Sequence, residues 1–211
     1  MIVSVVGPNF AGKSFVIKEL ESLINAQSVN CSSDISSSRV TAKKLSSTYV
    51  KLILSLLLIP RLFLRALYIW RRWGNSLILS ELTDVGGKTF LLDESHLKKL
   101  LEALPLRVDF FKLESILRQR WMLNAIEFEL TFADKILFII PEQESLMKNI
   151  DSRSSHLDNQ ELIQTKKRVS NLLGLYEEMY YLGKGARKNC IKVKDSSQAI
   201  QELMGFRGNS N

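Results

Sequence analysis

Two spacings of apolar residues alternate along the chain. Ile2-Val3-Ser4-Val5-Val6 is a short run rich in β-branched residues, which predicts a buried strand. A helical spacing follows from about Lys13 to Asn25, with Phe15, Ile17, Leu20 and Leu23/Ile24 on its apolar side. Gln27 to Cys31 predicts a short strand, and the serines at 32, 33 and 36–38 a loop. Leu45 to about Trp73 reads as helix, broken or kinked at Pro60. After the turn Gly86-Gly87-Lys88, Thr89-Phe90-Leu91-Leu92-Asp93 is a second buried strand, ending on an acid. Glu94 to Leu104 reads as helix and stops before Pro105; Leu113 to Phe132 is a long helix. Lys135 to Ile140 is the clearest buried strand, ended by Pro141. A helix covers about Glu142 to Ile150, and the polar stretch Asp151 to Asn159 predicts a mobile loop. Gln160 to Tyr181 is helical, ending near Gly183 and Gly185; Cys190 to Val193 is a last strand, and Ser197 to Met204 a last helix.

Strands buried on both faces and separated by helices mean an α/β fold with a parallel sheet and crossover helices. The length of 211 residues suits one such domain, expected over 1–206, with 207–211 a flexible tail. Cys31 and Cys190 make no disulfide framework and read as reduced thiols of a cytoplasmic protein. With only His96 and His156, a three-histidine metal site is excluded. The N-terminus lacks the basic region and cleavage site of a signal peptide. The most apolar stretch, Leu52 to Ile59, falls well short of the roughly 20 residues of a membrane span.

Ligands of parallel sheets bind beyond the carboxyl ends of the strands, so the loop after Val6 and the acids after Leu92 stand out. Gly7-Pro8-Asn9-Phe10-Ala11-Gly12-Lys13-Ser14 matches GxxxxGK[ST], with a strand before it and a helix after it. Backbone amides of such a loop wrap a phosphate and the helix N-terminus adds positive potential. Lys13 can reach the β- and γ-phosphates, and the Ser14 hydroxyl can ligate Mg²⁺. Residues 7–15, Phe15 included, are the expected ATP-binding segment. Asp93-Glu94 at the end of the second strand offers a carboxylate for the metal side (Asp93) and one for a base (Glu94). Glu94 can equally begin the next helix, where the dipole favours an acid. His96 alone reads as a surface or packing residue.

Charge adds a third feature. The net charge is +7, and the whole excess lies between Ile35 and Ser80, which hold eight basic residues and no acid. Such a patch expects an anion. Arg61, Arg65 and Arg72 share one helix face and are the candidate substrate-binding set. With Phe63, Trp70 and Trp73 nearby, the same helix could lie on a membrane surface or a partner. No specific nucleic-acid motif accompanies it. Lys148 and Arg153 flank the polar loop, and Arg153 is the better candidate for neutralising a transferring phosphoryl group.

In this order, the phosphate loop, the basic helix, the Gly-Gly-Lys turn before Phe90-Leu91-Leu92-Asp93-Glu94, and Ile136 to Pro141 with its helix and basic loop resemble the thymidylate kinase-like branch of P-loop nucleoside and nucleotide kinases. The resemblance implies a three-layer P-loop NTPase sandwich with a five-stranded parallel sheet, order 2-3-1-4-5, and a lid after strand four at about 148–160. It implies Mg-ATP as donor, with Gly7, Gly12, Lys13 and Ser14 on the phosphates and Mg²⁺, and Arg153 as lid arginine. Thymidylate kinases carry Asp-Arg where this chain has Asp93-Glu94, and an acid there suits a neutral hydroxyl better than a phosphorylated acceptor. Many members of this branch dimerise, and the apolar helices Leu45–Trp73 and Leu113–Phe132 offer surface for it, so a homodimer is an expectation too. The function expected is phosphoryl transfer from ATP to a small hydroxyl or phosphate acceptor. The alternative is a P-loop ATPase switch, with Glu94 activating water and the basic helix docking a membrane, protein or nucleic acid.

Overall fold

The apolar runs form one parallel sheet. In the computed structural model, which describes residues 1–24, 26–29, 89–93, 97–98, 101, 115–130 and 133–205, the strands are β1 (Ile2–Val6), β2 (Ala26–Val29), β3 (Thr89–Leu92), β4 (Lys135–Ile139) and β5 (Cys190–Val193). Their order across the sheet is β2-β3-β1-β4-β5, and every pair is parallel. β1 and β3 are buried along their whole length, as strands covered on both faces must be.

Among the described helices, α1 (Lys13–Ile24) links β1 to β2, and α2 (Ser115–Glu129) precedes β4. α3 (Gln143–Arg153) and α4 (Asn159–Gly185) link β4 to β5, and α5 (Ser196–Gly205) follows β5. The step from β1 to β2 runs one way across the sheet, and those from β3 to β4 and β4 to β5 run the other way. Right-handed crossovers therefore put α1 on one face and α2, α3 and α4 on the opposite face. The packing agrees: α1 lies against α5, and α2 against α4. Trp121, Met122, Ala125, Ile126 and Phe128 of α2 bury against the sheet core.

The polar stretch after β4 differs from its sequence expectation. It is not a loop over 151–159, because α3 continues to Arg153 and α4 begins at Asn159. α3 is polar because only Leu146 and Ile150 are fully buried, with Met147 partly buried against the core. The connection is short and bonded: Ser154 N–H donates to Ile150 O, Leu157 N–H to Ser154 O, and Ser154 is buried. Lys166 on α4 pairs with Asp151 on α3 at 2.6 Å. Asp158 caps α4 in a reciprocal box, accepting from Glu161 N–H at 2.8 Å while Glu161 accepts from Asp158 N–H at 3.3 Å. Asp158→Ala is expected to cost about 1 kcal/mol, the usual worth of a side-chain cap, read as a lower melting temperature.

α4 ends at Gly185, near the two glycines expected to stop it. Its end is a turn in which Arg187, at φ 53°, takes the left-handed conformation; Arg187 N–H donates to Lys184 O and Lys188 N–H to Gly183 O. Gly183, within the last turn, also serves packing: a Cβ there would stand 2.6 Å from Cys190 Sγ on β5. That burial also pushes the Cys190 thiol up to about 11, so it stays protonated.

Candidate functional site

The chain leaves β1 at Val6 and turns through Gly7 to Gly12 into α1. Two residues of the turn hold positive φ, Phe10 at 67° and Gly12 at 85°. Phe10 is not a glycine, so its conformation is imposed from outside. Ala11 N–H donates to Pro8 O, and Asn149 Nδ2 of α3 donates to Phe10 O at 3.1 Å. Lys13 folds back under the turn: Nζ donates to Gly7 O at 2.9 Å and Pro8 O at 2.8 Å, and the residue is only 8% exposed. The loop is thus shaped as a concave cap on the first turn of α1, where amides and helix dipole face an anion.

A cavity of about 220 Å³ opens over this loop, lined by Asn9, Phe10, Gly12, Lys13, Ser14, Phe15, Asp93, Lys98 and Arg153. Three tertiary neighbours converge on the loop there. Asp93 comes from the end of β3, Lys98 from the helical segment after it, and Arg153 from the last residue of α3. Three cations and one carboxylate line the space, which is the charge balance of a phosphate site. The Ser14 hydroxyl and the Asp93 carboxylate are hard oxygen donors in the same cavity, so this donor set fits Mg²⁺. Among the described residues, no group of three or more His, Cys, Asp and Glu forms a metal site of its own.

A second cavity of about 420 Å³ adjoins the first and shares Gly12 and Phe15 with it. Its other walls are Ala11, Val16, Pro141, Glu142, Ser145, Asn149, Lys194 and Asp195. Glu142 and Lys194 pair at 2.9 Å across the space between β4 and β5. Ligand sites usually need about 300–1,000 Å³, so the first cavity alone suits a phosphate chain and the two together a whole nucleotide. Phe15, 60% exposed, stands at their junction.

Lys13, Ser14, Asp93 and Arg153 are therefore brought together from three parts of the chain. Gly7, Pro8 and Ala11 shape the loop without lining the first cavity. Lys148 is not among the lining residues; it pairs with Glu144 on its own helix. Glu94 and His96 lie outside the described residues, as do Arg61, Arg65, Arg72 and the tail 207–211. The membrane-facing basic helix lies outside them too, as do the apolar segment 45–73 and part of 113–132 on which the homodimer rested. No helix among the described residues is long and apolar enough to cross a membrane. Sequence reasoning missed Lys98 and Asn149. Glu94 and Lys98 stand four apart in a segment read as helix, a spacing that could have flagged Lys98, whereas nothing local marks Asn149 as a partner of Phe10.

No protein-family model and no curated protein sequence matches the chain. Solved structures do. Deoxyadenosine kinase from M. mycoides, with products dCMP and a flexible dCDP bound, is 14% identical with a TM-score of 0.51, over 100% of both chains. The same kinase with bound dATP is 15% identical with a TM-score of 0.51, over 99% of this chain and 100% of that one. The YorR protein of Bacillus subtilis, in complex with phosphorylated GDP, is 14% identical with a TM-score of 0.51, over 99% of this chain and 96% of that one. The chain shares the parallel α/β fold of these structures.

Proposed function

We propose that this chain is a Mg-ATP-dependent phosphotransferase of the nucleoside and nucleotide kinase type, on the thymidylate kinase-like branch. The observation that carries the reading is the cavity in which Lys13, Ser14, Asp93 and Arg153 meet over one phosphate loop. Deoxyadenosine kinase, whose structures hold nucleotides, is consistent with it.

The chemistry follows from the residues. Phosphoryl transfer asks for positioning and charge neutralisation more than covalent help. Lys13 Nζ already has two carbonyl acceptors at the mouth of the loop and can exchange them for β- and γ-phosphate oxygens. Ser14 and Asp93 would hold Mg²⁺, which supplies charge neutralisation across the β- and γ-phosphates when bound. Arg153, at the tip of the α3–α4 hairpin, is the lid cation for the transferring group. The second cavity would take the sugar and base, with Phe15 against them and the Glu142–Lys194 pair at its polar wall. Glu94 would orient the acceptor, a small hydroxyl or phosphate, and Arg61, Arg65 and Arg72 would bind it. A nucleotide-dependent reaction suits the cytoplasm.

ADP release from Mg-ATP, with and without nucleosides, nucleoside monophosphates and sugars, tests this. Stimulation by one acceptor class is expected; a rate indifferent to every acceptor would mean an ATPase instead. Arg153 is exposed and ends a helix, so Arg153→Ala should leave the melting temperature unchanged. It should lower kcat about 10²–10³-fold, the usual cost of one preorganised charge donor.

A further inference from the structure

Glu129, the last residue of α2, is fully buried and lines neither cavity. Its Oε1 accepts from Ser4 Oγ at 2.5 Å and its Oε2 accepts from Leu97 N–H at 2.8 Å. A buried carboxylate is costly and persists where its oxygens are hydrogen-bonded. Both bonds bear on the site. Ser4 lies three residues before Gly7 and pairs with Leu92 in the sheet, immediately before Asp93. Leu97 immediately precedes Lys98. Glu129 therefore bears on Asp93 from two directions, through Ser4 of the strand paired with β3 and through Leu97 in the chain after it.

Glu129 is itself firmly placed. Its carbonyl accepts from Ala133 N–H, Asp134 N–H donates to Ile2 O, and the Asp134 carboxylate accepts from Ile2 N–H at 2.7 Å. The junction between α2 and β4 is thereby tied to the start of β1, the strand that carries the phosphate loop.

We infer that Glu129 is a positioning residue: it sets Asp93 against the phosphate loop without touching the ligand. The inference rests on the nucleotide reading above. It acts through Asp93, so its effect must appear only when metal is present.

The test is calorimetric affinity for ATP with Mg²⁺ and with a chelator, for the wild type, Glu129→Met, Glu129→Gln, Ser4→Ala and Asp93→Asn. Glu129→Met should weaken Mg-ATP binding about 10-fold, the low end of the cost of losing a partner bonded directly to a metal ligand, because Glu129 reaches Asp93 only through Ser4 and Leu97. Its affinity for metal-free ATP should stay that of the wild type. Glu129→Gln should bind like the wild type, because an amide can accept from Leu97 N–H and donate to Ser4 Oγ. Added to Asp93→Asn, Glu129→Met should have no further effect. If Glu129→Met does not fold, Ser4→Ala decides, with a smaller loss again confined to Mg-ATP. Loss of thermal stability with an unchanged ratio of Mg-ATP to ATP affinity overturns the inference, as does additivity with Asp93→Asn. A wild type that binds no ATP overturns the nucleotide reading itself, and this inference with it.

Discussion

Lys13→Ala is expected to lower ADP formation about 10²–10³-fold, the scale set by one preorganised charge donor in a water-poor site. Two effects add. The substitution removes the only buried ammonium among the described residues that line the phosphate cavity. It also frees the Gly7 and Pro8 carbonyls, which Nζ now draws together under the loop. Lys13→Arg separates these effects, because it keeps the charge but replaces a compact ammonium with a planar fork. If loop shape matters as much as charge, Lys13→Arg should remain as inactive as Lys13→Ala. Both variants should keep a cooperative melt, since neither disturbs the β1 strand pairing. A fully active Lys13→Ala would overturn the assignment of this cavity to the phosphates.

Gly7→Ala should act on stability first. A Cβ on Gly7 would stand 2.5 Å from Ile139 O and 3.3 Å from Ile139 Cβ. The nearer atom is β4 backbone, so no side-chain rotation relieves the clash. β1 and β4 are central neighbours paired from Val3 to Val6, and the added methyl must push them apart where they end. Overpacking of this kind costs about 3 kcal/mol. At about 2–4 °C per kcal/mol for a chain of this size, that is a fall of roughly 6–12 °C in melting temperature. Nucleotide affinity should fall as well, because the same residue begins the loop. A melt within about 2 °C of the wild type would show that the strand ends yield more readily than the contact suggests.

Both substitutions fall in the part of the site that is legible in the sequence. The phosphate loop can be recognised there because its parts are contiguous: a strand, a fixed glycine spacing, a lysine and a hydroxyl. Each is needed where it stands by local geometry. The strands are equally plain, since residues buried on both faces leave no polar alternation to confuse with helix. β1 and β3 begin and end where the apolar runs do, apart from Asp93.

Polar helices are harder to read. α3 carries two buried residues in eleven, so its last turn resembles loop in sequence; Ile150, Ser154 and the Lys166–Asp151 pair make it helix. Gly183 resembles a helix stop, whereas its role is to let α4 approach Cys190.

The sequence alone determined the phosphate loop, the strand-helix alternation and the pairing of Lys13 with Ser14, because these depend on neighbours a few positions apart. Only the tertiary structure decided which distant residues complete the site. Lys98 and Arg153 reach the loop through β3 and α3, Asn149 of α3 holds Phe10, and Glu129 bonds Ser4 across 125 positions. Such contacts are set by how strands order in the sheet and how helices cross it, and no local pattern encodes them.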